Sequence, residues 1–176
     1  MRIEGLGDLN QNPDIPEWLD SDETGIPVLG NRSYTITFQN IADDPASEEF
    51  AEAIGNFLRL SEQDREETNQ YVFADYRDFV ECVGEDEFDF TIDDETTVWD
   101  HVHPTQIYVS RRYYGDKAVY VQIAAECDWE EEHGLQVVYR EGKSLRRVSS
   151  QDGHLTNSDA YDRPELEDVI VRKRWD

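Results

Sequence analysis

Residues 33–39, Ser-Tyr-Thr-Ile-Thr-Phe-Gln, alternate strictly along the chain. Tyr34, Ile36 and Phe38 fall on one side and Ser33, Thr35 and Thr37 on the other. That is the period of a half-buried strand, built from β-favouring residues. The pattern then turns helical. Asp43-Asp44-Pro45-Ala46-Ser47-Glu48-Glu49 has the marks of a helix start. Asp44 is placed to cap free amides, Pro45 suits a first turn, and the acids complement the positive end of the dipole. Phe50, Ile54, Phe57 and Leu58 follow on one helical face. A second helical pattern begins at Ser61, with Glu62 and Asp64 in its first turn. Its apolar stripe is Val72, Tyr76, Phe79 and Val80, and Gly84 ends it. Residues 45–83 therefore predict two helices with a break near Leu60-Ser61.

Residues 85–95 form an acidic connector in which Phe88, Phe90 and Ile92 alternate, the pattern of a short strand. Beyond it the chain reads as antiparallel sheet. Gln106–Arg112, Ala118–Cys127, Gly134–Arg140 and Ser144–Ser149 are strand candidates, with Gly115-Asp116 and Glu141-Gly142 as turns. Short strands at this spacing indicate hairpins rather than crossovers. Asp168–Trp175 is a candidate edge strand. Residues 1–30 show no period, and Pro13, Pro16 and Pro27 interrupt them. Trp18 and Leu19 are placed to pin that stretch to the body. The expected fold is α+β: an antiparallel sheet, made of the C-terminal meander plus one N-terminal strand, packed with two helices. The expected division is an irregular extension over 1–30 and a single domain over 31–176. Its helical part covers about 45–83 and its sheet about 104–176.

Composition supports a folded chain: 176 residues with 38% hydrophobic and 11% aromatic residues can build one core, whereas a disordered acidic chain has few aromatics. Charge adds a polarity. The formal net charge is -25, and residues 1–100 hold 27 acids against five bases, while residues 101–176 hold 14 against 11. Such a balance repels phosphate backbones and anionic headgroups, which argues against nucleic-acid and membrane-surface binding. It suits three things: solubility, which alone is the commonest reason for such a balance, a basic protein partner, or a bound cation. Arg111-Arg112-Tyr113-Tyr114 and Arg172-Lys173-Arg174-Trp175 mix bases with aromatics, and against the overall charge they are expected to pair with the chain's own acids or to protect sheet edges. The two cysteines, Cys82 and Cys127, lie far apart and read as thiols. With no apolar leader or spanning run in the sequence, the cytoplasm is the expected compartment.

The candidate chemistry lies in the second half. All four histidines, His101, His103, His133 and His154, are there with Cys127. His101 and His103 point to one face if extended, and Cys127 and His133 flank a loop between strands. His103, Cys127, His133 and His154 are the candidate ligands for zinc, which takes Cys and His. No Cys-x-x-Cys pair accompanies them. Glu126, Asp128, Glu130, Glu131 and Glu132 offer oxygens for calcium but lack the EF-hand spacing. A Cys127 nucleophile with His133 or His154 and Asp152 is disfavoured, because surrounding carboxylates raise a thiol pKa. Paired carboxylates for glycoside cleavage are uninformative in so acidic a chain, and there is no phosphate-cradling glycine loop. A purely structural reading is also open: Cys127 in the core, Asp128 bonding turn amides, Trp129 covering the sheet end, His133-Gly134 and Asp152-Gly153 making turns.

The run Cys127-Asp128-Trp129-Glu130-Glu131-Glu132-His133-Gly134-Leu135, followed by Asp152-Gly153-His154, resembles an uncharacterised bacterial family of unknown function. The resemblance covers most of residues 26–158. It takes in Ile26-Pro27-Val28-Leu29, Ala53-Ile54-Gly55-Asn56-Phe57-Leu58, Val98-Trp99 and His103-Pro104. It implies no activity, but it marks Cys127, Asp128, Trp129, Glu130, Glu132, His133, Gly134, Asp152, Gly153 and His154 as the place to look. Two functions stand side by side. One is a non-enzymatic interaction module, immunity-like or accessory, that binds a basic partner. The other is a metal-binding protein or metal-dependent hydrolase using His103, Cys127, His133 and His154.

Overall fold

The computed structural model describes residues 1–174. A seven-stranded sheet organises the chain. It is assembled from β3 (Asn10–Gln11), β4 (Trp18–Asp20), β7 (Ile36–Gln39), β8 (Val102–Arg111), β9 (Val119–Cys127), β10 (Leu135–Arg140) and β11 (Ser144–Ser149). Their order across the sheet is β11-β10-β9-β8-β7-β4-β3. Two small hairpins flank it: β1 (Arg2–Ile3) with β2 (Gly7–Asp8), and β5 (Thr24–Ile26) with β6 (Arg32–Tyr34). The helices are α1 (Glu48–Phe57), α2 (Glu62–Glu66), α3 (Asn69–Val83) and α4 (Asn157–Tyr161).

The α+β class and the C-terminal meander are as the pattern predicts. The sheet is mixed, however, because β7 pairs with β8 in parallel. The connection between them carries α1, α2 and α3, and a crossover of that length is what parallel neighbours require. The predicted strand at 33–39 is split at Thr35. Residues 32–34 pair with β5, whereas 36–39 enter the large sheet, where Ser21 Oγ accepts from the Ile36 amide at 3.0 Å. The N-terminal stretch is not irregular as expected. It supplies five short strands and buries Ile3, Leu6, Leu9, Ile26, Val28 and Leu29.

The helical region breaks where expected. Ser61 starts α2 with a capping box, accepting from Asp64 N while Asp64 accepts from Ser61 N. The region holds three helices rather than two. Asp44 does not cap α1, whose N-cap is Ser47; it accepts from the Ala46 amide and takes Arg111. Residues 88–92 form no strand. Their alternation still sorts the side chains, with Ile92 buried and Asp89, Thr91 and Asp93 exposed. The Tyr76 hydroxyl, not a neighbouring strand, accepts the Ile92 amide at 3.1 Å. The expected edge strand at 168–175 is absent among the described residues, and Trp175 lies outside them. One backbone bond, from Val148 N to Ile170 O at 3.0 Å, lays that tail against β11.

The main core fills the space between the helices and one sheet face. Phe50, Ala53, Ile54 and Phe57 of α1 and Val72, Tyr76 and Val80 of α3 pack with Ile36, Phe38, Ile107, Val109, Val121, Ile123, Val137 and Val148. The β10–β11 turn is docked on α1. Gly142 has φ +68°, and a Cβ there would lie 1.9 Å from Ala53 O, so only glycine fits. A smaller cluster of Tyr120, Val138 and Leu155 sits separately.

Candidate functional site

The loop after β9 is held together by its own side chains and by the core. Cys127 is buried, and its thiol lies 3.7 Å from the Glu130 carbonyl. Burial pushes this thiol up to about 12, so it is protonated and unreactive at neutral pH. Trp129 is buried and donates Nε1–H to Asp75 Oδ2 at 3.2 Å. Glu130 accepts the amides of Glu132 and His133 at 3.1 and 3.0 Å. It thereby does the work expected of Asp128, because its carboxylate points back into the turn. Gly134 has φ +64°, and a Cβ there would meet Ala125 O at 2.3 Å. Leu135 then enters the core.

Asp152 is the anchor of a buried guanidinium. Arg147 is 1% exposed. Asp152 takes its two terminal nitrogens at 2.6 Å each, the His154 carbonyl accepts at 2.7 Å, and Asn157 accepts from Nε at 2.9 Å. Gln136, also fully buried, donates to Asp152, Ser149 and the His154 carbonyl. Gly153 has φ +79° and turns the chain so that both ends of Asp152-Gly153-His154 face Arg147. The sequence contains no periodic signal for this network. Arg147 stands in the strand between Arg146 and Val148, so nothing in the local pattern separates the buried arginine from the half-buried one beside it.

The four residues proposed to hold zinc are not brought together. Cys127 lies in the core, His133 Nδ1 sits 3.3 Å from Glu130 on the exposed loop, His103 bonds Asp128, and His154 is exposed beyond β11. Among the described residues, no three or more His, Cys, Asp or Glu side chains are grouped to hold a metal ion.

What does converge is His101, Asp128 and His103. The β8–β9 register sets Val102 opposite Cys127 and His103 opposite Glu126. Asp128 N donates to His101 O at 3.1 Å, continuing that register. Both histidines therefore meet the Asp128 carboxylate, His101 Nδ1 at 2.9 Å and His103 Nε2 at 2.7 Å. Burial pushes the Asp128 carboxyl up, but the bonds to His103 and His101 outweigh it and hold it below the usual range. The Phe90 ring stacks on His101 at 5.1 Å and 15°. Tyr76 touches both Phe90 and Trp129. These contacts tie the acidic connector to the loop after β9. His101 is not among the four candidate zinc ligands, although its spacing from His103 puts the two on one face of an extended chain.

Around this cluster the charge is one-sided. Most bases of the second half are engaged internally: Arg111 with Asp44 and Glu49, Arg112 with Asp159 and Glu167, Arg140 with Asp116, Arg146 with Asp168, Arg147 with Asp152, and Arg174 with Asp75 and Asp78. The expected pairing of the two basic-aromatic stretches with the chain's own acids thus holds for Arg111, Arg112 and Arg174. By contrast, Glu81, Glu85, Asp86, Glu87, Asp89, Asp93, Asp94, Glu95 and Asp100 are all exposed. None of these nine is in an ion pair among the described residues. No base occurs between Arg77 and Arg111. Among the described residues, no helix is long and apolar enough to cross a membrane.

No curated protein and no solved structure matches this chain. One family model does, the Domain of unknown function (DUF6985), over residues 5–155. The match begins well before residue 26 and so takes in most of the N-terminal strands that the sequence pattern leaves outside the fold. With most of its length so matched, the chain belongs to the DUF6985 family of domains of unknown function.

Proposed function

We propose that this chain is a non-enzymatic interaction module that captures a basic protein through the acidic surface of residues 81–100. The observation that carries this reading is the contrast in pairing. Most arginines of the second half are matched by internal carboxylates, while nine exposed acids in one short stretch have no ion-pair partner among the described residues. A concentrated surface charge of one sign raises encounter rates with an oppositely charged partner and makes them salt-dependent. The segment is also positioned by the fold. Phe88, Phe90 and Ile92 pack inward and hold the intervening acids outward. Accessory or immunity-like inhibition of a basic protein is the role such a surface suits, by analogy.

The test is affinity capture from a lysate of the source cells at low ionic strength, followed by elution with salt. About 0.15 M salt shortens the Debye length to roughly 8 Å and about 1 M to roughly 3 Å. A basic protein retained at low salt, released at high salt and lost with Glu85→Gln, Asp86→Asn, Glu87→Gln, Asp89→Asn and Asp93→Asn together is the expected result. Retention of no basic protein, or retention unchanged in the neutralised variant, overturns the reading.

A further inference from the structure

Two arginines of this chain are held in the same manner. Arg111 lies over the Phe50 ring, 5.5 Å from its centroid, with Asp44 and Glu49 on its nitrogens. Arg174 lies over the Phe79 ring at 5.0 Å, with Asp75 and Asp78 on its nitrogens. One ring plus two carboxylates is a sound receptor for a guanidinium. The planar cation is attracted to the ring face, and its fork of N–H donors matches carboxylate oxygens.

The same ingredients recur next to Phe79, across its edge contact with Phe88 at 6.3 Å. Between α3 and the acidic connector lies a cavity of about 250 Å³ whose lining includes Tyr76, Phe88, Phe90, Glu85 and Asp93. Phe88 and Phe90 meet edge to face at 5.7 Å, so their rings stand at an angle to one another. Glu85 and Asp93 are exposed, and both belong to the unpaired acids described above. Drug-sized ligands occupy pockets of roughly 300–1,000 Å³, so this cavity suits the head of one side chain rather than a whole small molecule. Arg77 also lines it, with its guanidinium 5.9 Å from the Phe73 centroid. It adds a positive charge at the rim, which opposes an incoming cation.

We infer that this cavity receives one arginine side chain of the basic partner, an inference that rests on the interaction role proposed above. Arginine is favoured over lysine because the site offers rings and two separate carboxylates, which reward a flat, forked cation more than a point charge. The acids farther along the segment set the long-range attraction, and the cavity sets the preference at contact.

Fluorescence anisotropy with acetylated, amidated hexa-arginine and hexa-lysine peptides tests it, in about 50 mM salt where surface charge is weakly screened. Hexa-arginine is expected to bind at least about threefold tighter than hexa-lysine. Glu85→Gln with Asp93→Asn is expected to weaken hexa-arginine about tenfold. Phe88→Leu, which keeps apolar volume and removes the ring, weakens it about threefold and moves hexa-lysine less. Arg77→Gln tightens both peptides about twofold, because a repelling charge is gone. A control, Glu66→Gln with Glu67→Gln, removes two exposed acids from outside the cavity and lowers both affinities alike, by less than about twofold. Circular-dichroism melting checks that each variant is folded. If the Glu85/Asp93 variant loses no more than the control, or the two peptides bind equally, the cavity assignment is wrong while the acidic-surface role stands. If the unaltered protein binds neither peptide, both fall together.

Discussion

Replacing Asp152 by alanine strips the two terminal nitrogens of Arg147 of their carboxylate. The guanidinium is 1% exposed, so water does not take over easily. Two bonds of 2.6 Å are lost, while those to Asn157 and the His154 carbonyl remain. Removing one partner of a buried ion pair costs about 3–5 kcal/mol. The Asp152 side chain is 39% exposed, which screens the pair and moves the expectation down to about 2–3 kcal/mol. For a chain of this size that corresponds to a fall of roughly 4–12 °C in Tm. Urea unfolding with an unchanged slope is the assay. Two internal checks sharpen it. First, Arg147→Met combined with Asp152→Ala removes both charges and is expected to recover at least half of the loss. Second, the cost depends on pH. Burial pushes the Asp152 carboxyl up, but Arg147 outweighs it and holds the group below its ordinary value. A group depressed in the folded state contributes above its unfolded pKa, about 3.9, and ceases to contribute as pH falls through the folded value. The gap between the two proteins should therefore be full at pH 7 and close progressively below about pH 4. A loss under about 1 kcal/mol at pH 7, or a gap that stays constant down to pH 3, refutes the reasoning.

Three further outcomes are expected. Gly134→Ala should cost at least about 2 kcal/mol, from its positive φ and the collision with Ala125 O, whereas Gly153→Ala, with open space around it, should cost only about 1 kcal/mol; comparing the two by thermal melting separates the collision from the dihedral. Cys127, buried and pushed up to about 12, should resist a thiol reagent in the folded protein and react only after denaturant is added, so fast labelling of two thiols in the native state contradicts its placement. Asp128→Asn should cost roughly 1 kcal/mol at pH 7, because the carboxylate is 38% exposed. Since its carboxyl is also held low, that difference should fade as acid protonates it below about pH 4, and a cost that grows in acid would exclude the bonds to His101 and His103.

The second half of the fold was legible because it repeats a simple signal. β8 to β11 are short runs rich in β-favouring residues, and Gly115, Gly134 and Gly142 punctuate them at positive φ. The helical region was legible from its apolar stripes and from Ser61 with the acids that follow it, although the break between α2 and α3 was not. Strands of two or three residues near the N-terminus carry no period, so burial of Ile3, Leu6 and Leu9 could not be read from pattern. Parallel pairing of β7 and β8 depends on the route of the helical crossover, which local sequence does not encode. Phe88, Phe90 and Ile92 show the reverse case: alternation recorded which side faces inward but not whether a neighbouring strand exists. In the loop after β9 the expected roles of two acids are interchanged. Glu130 holds the turn amides, and Asp128 instead reaches across the strand pair to His101 and His103, a partnership that only the β8–β9 register reveals.

The position of the unpaired charge decides the proposed function, and a matched pair of variants tests it directly. One carries Glu85→Gln, Asp86→Asn, Glu87→Gln, Asp89→Asn and Asp93→Asn. The other carries Glu4→Gln, Asp14→Asn, Glu17→Gln, Asp22→Asn and Glu23→Gln, five acids that are equally exposed. Each removes five negative charges from the same formal -25. The measurement is the affinity of each for hexa-arginine across a salt series. The first variant should bind at least about tenfold more weakly and show a shallower salt dependence, while the second stays within about twofold of the unaltered protein. Equal losses in both would mean that net charge alone governs binding, and would contradict a localised acidic surface.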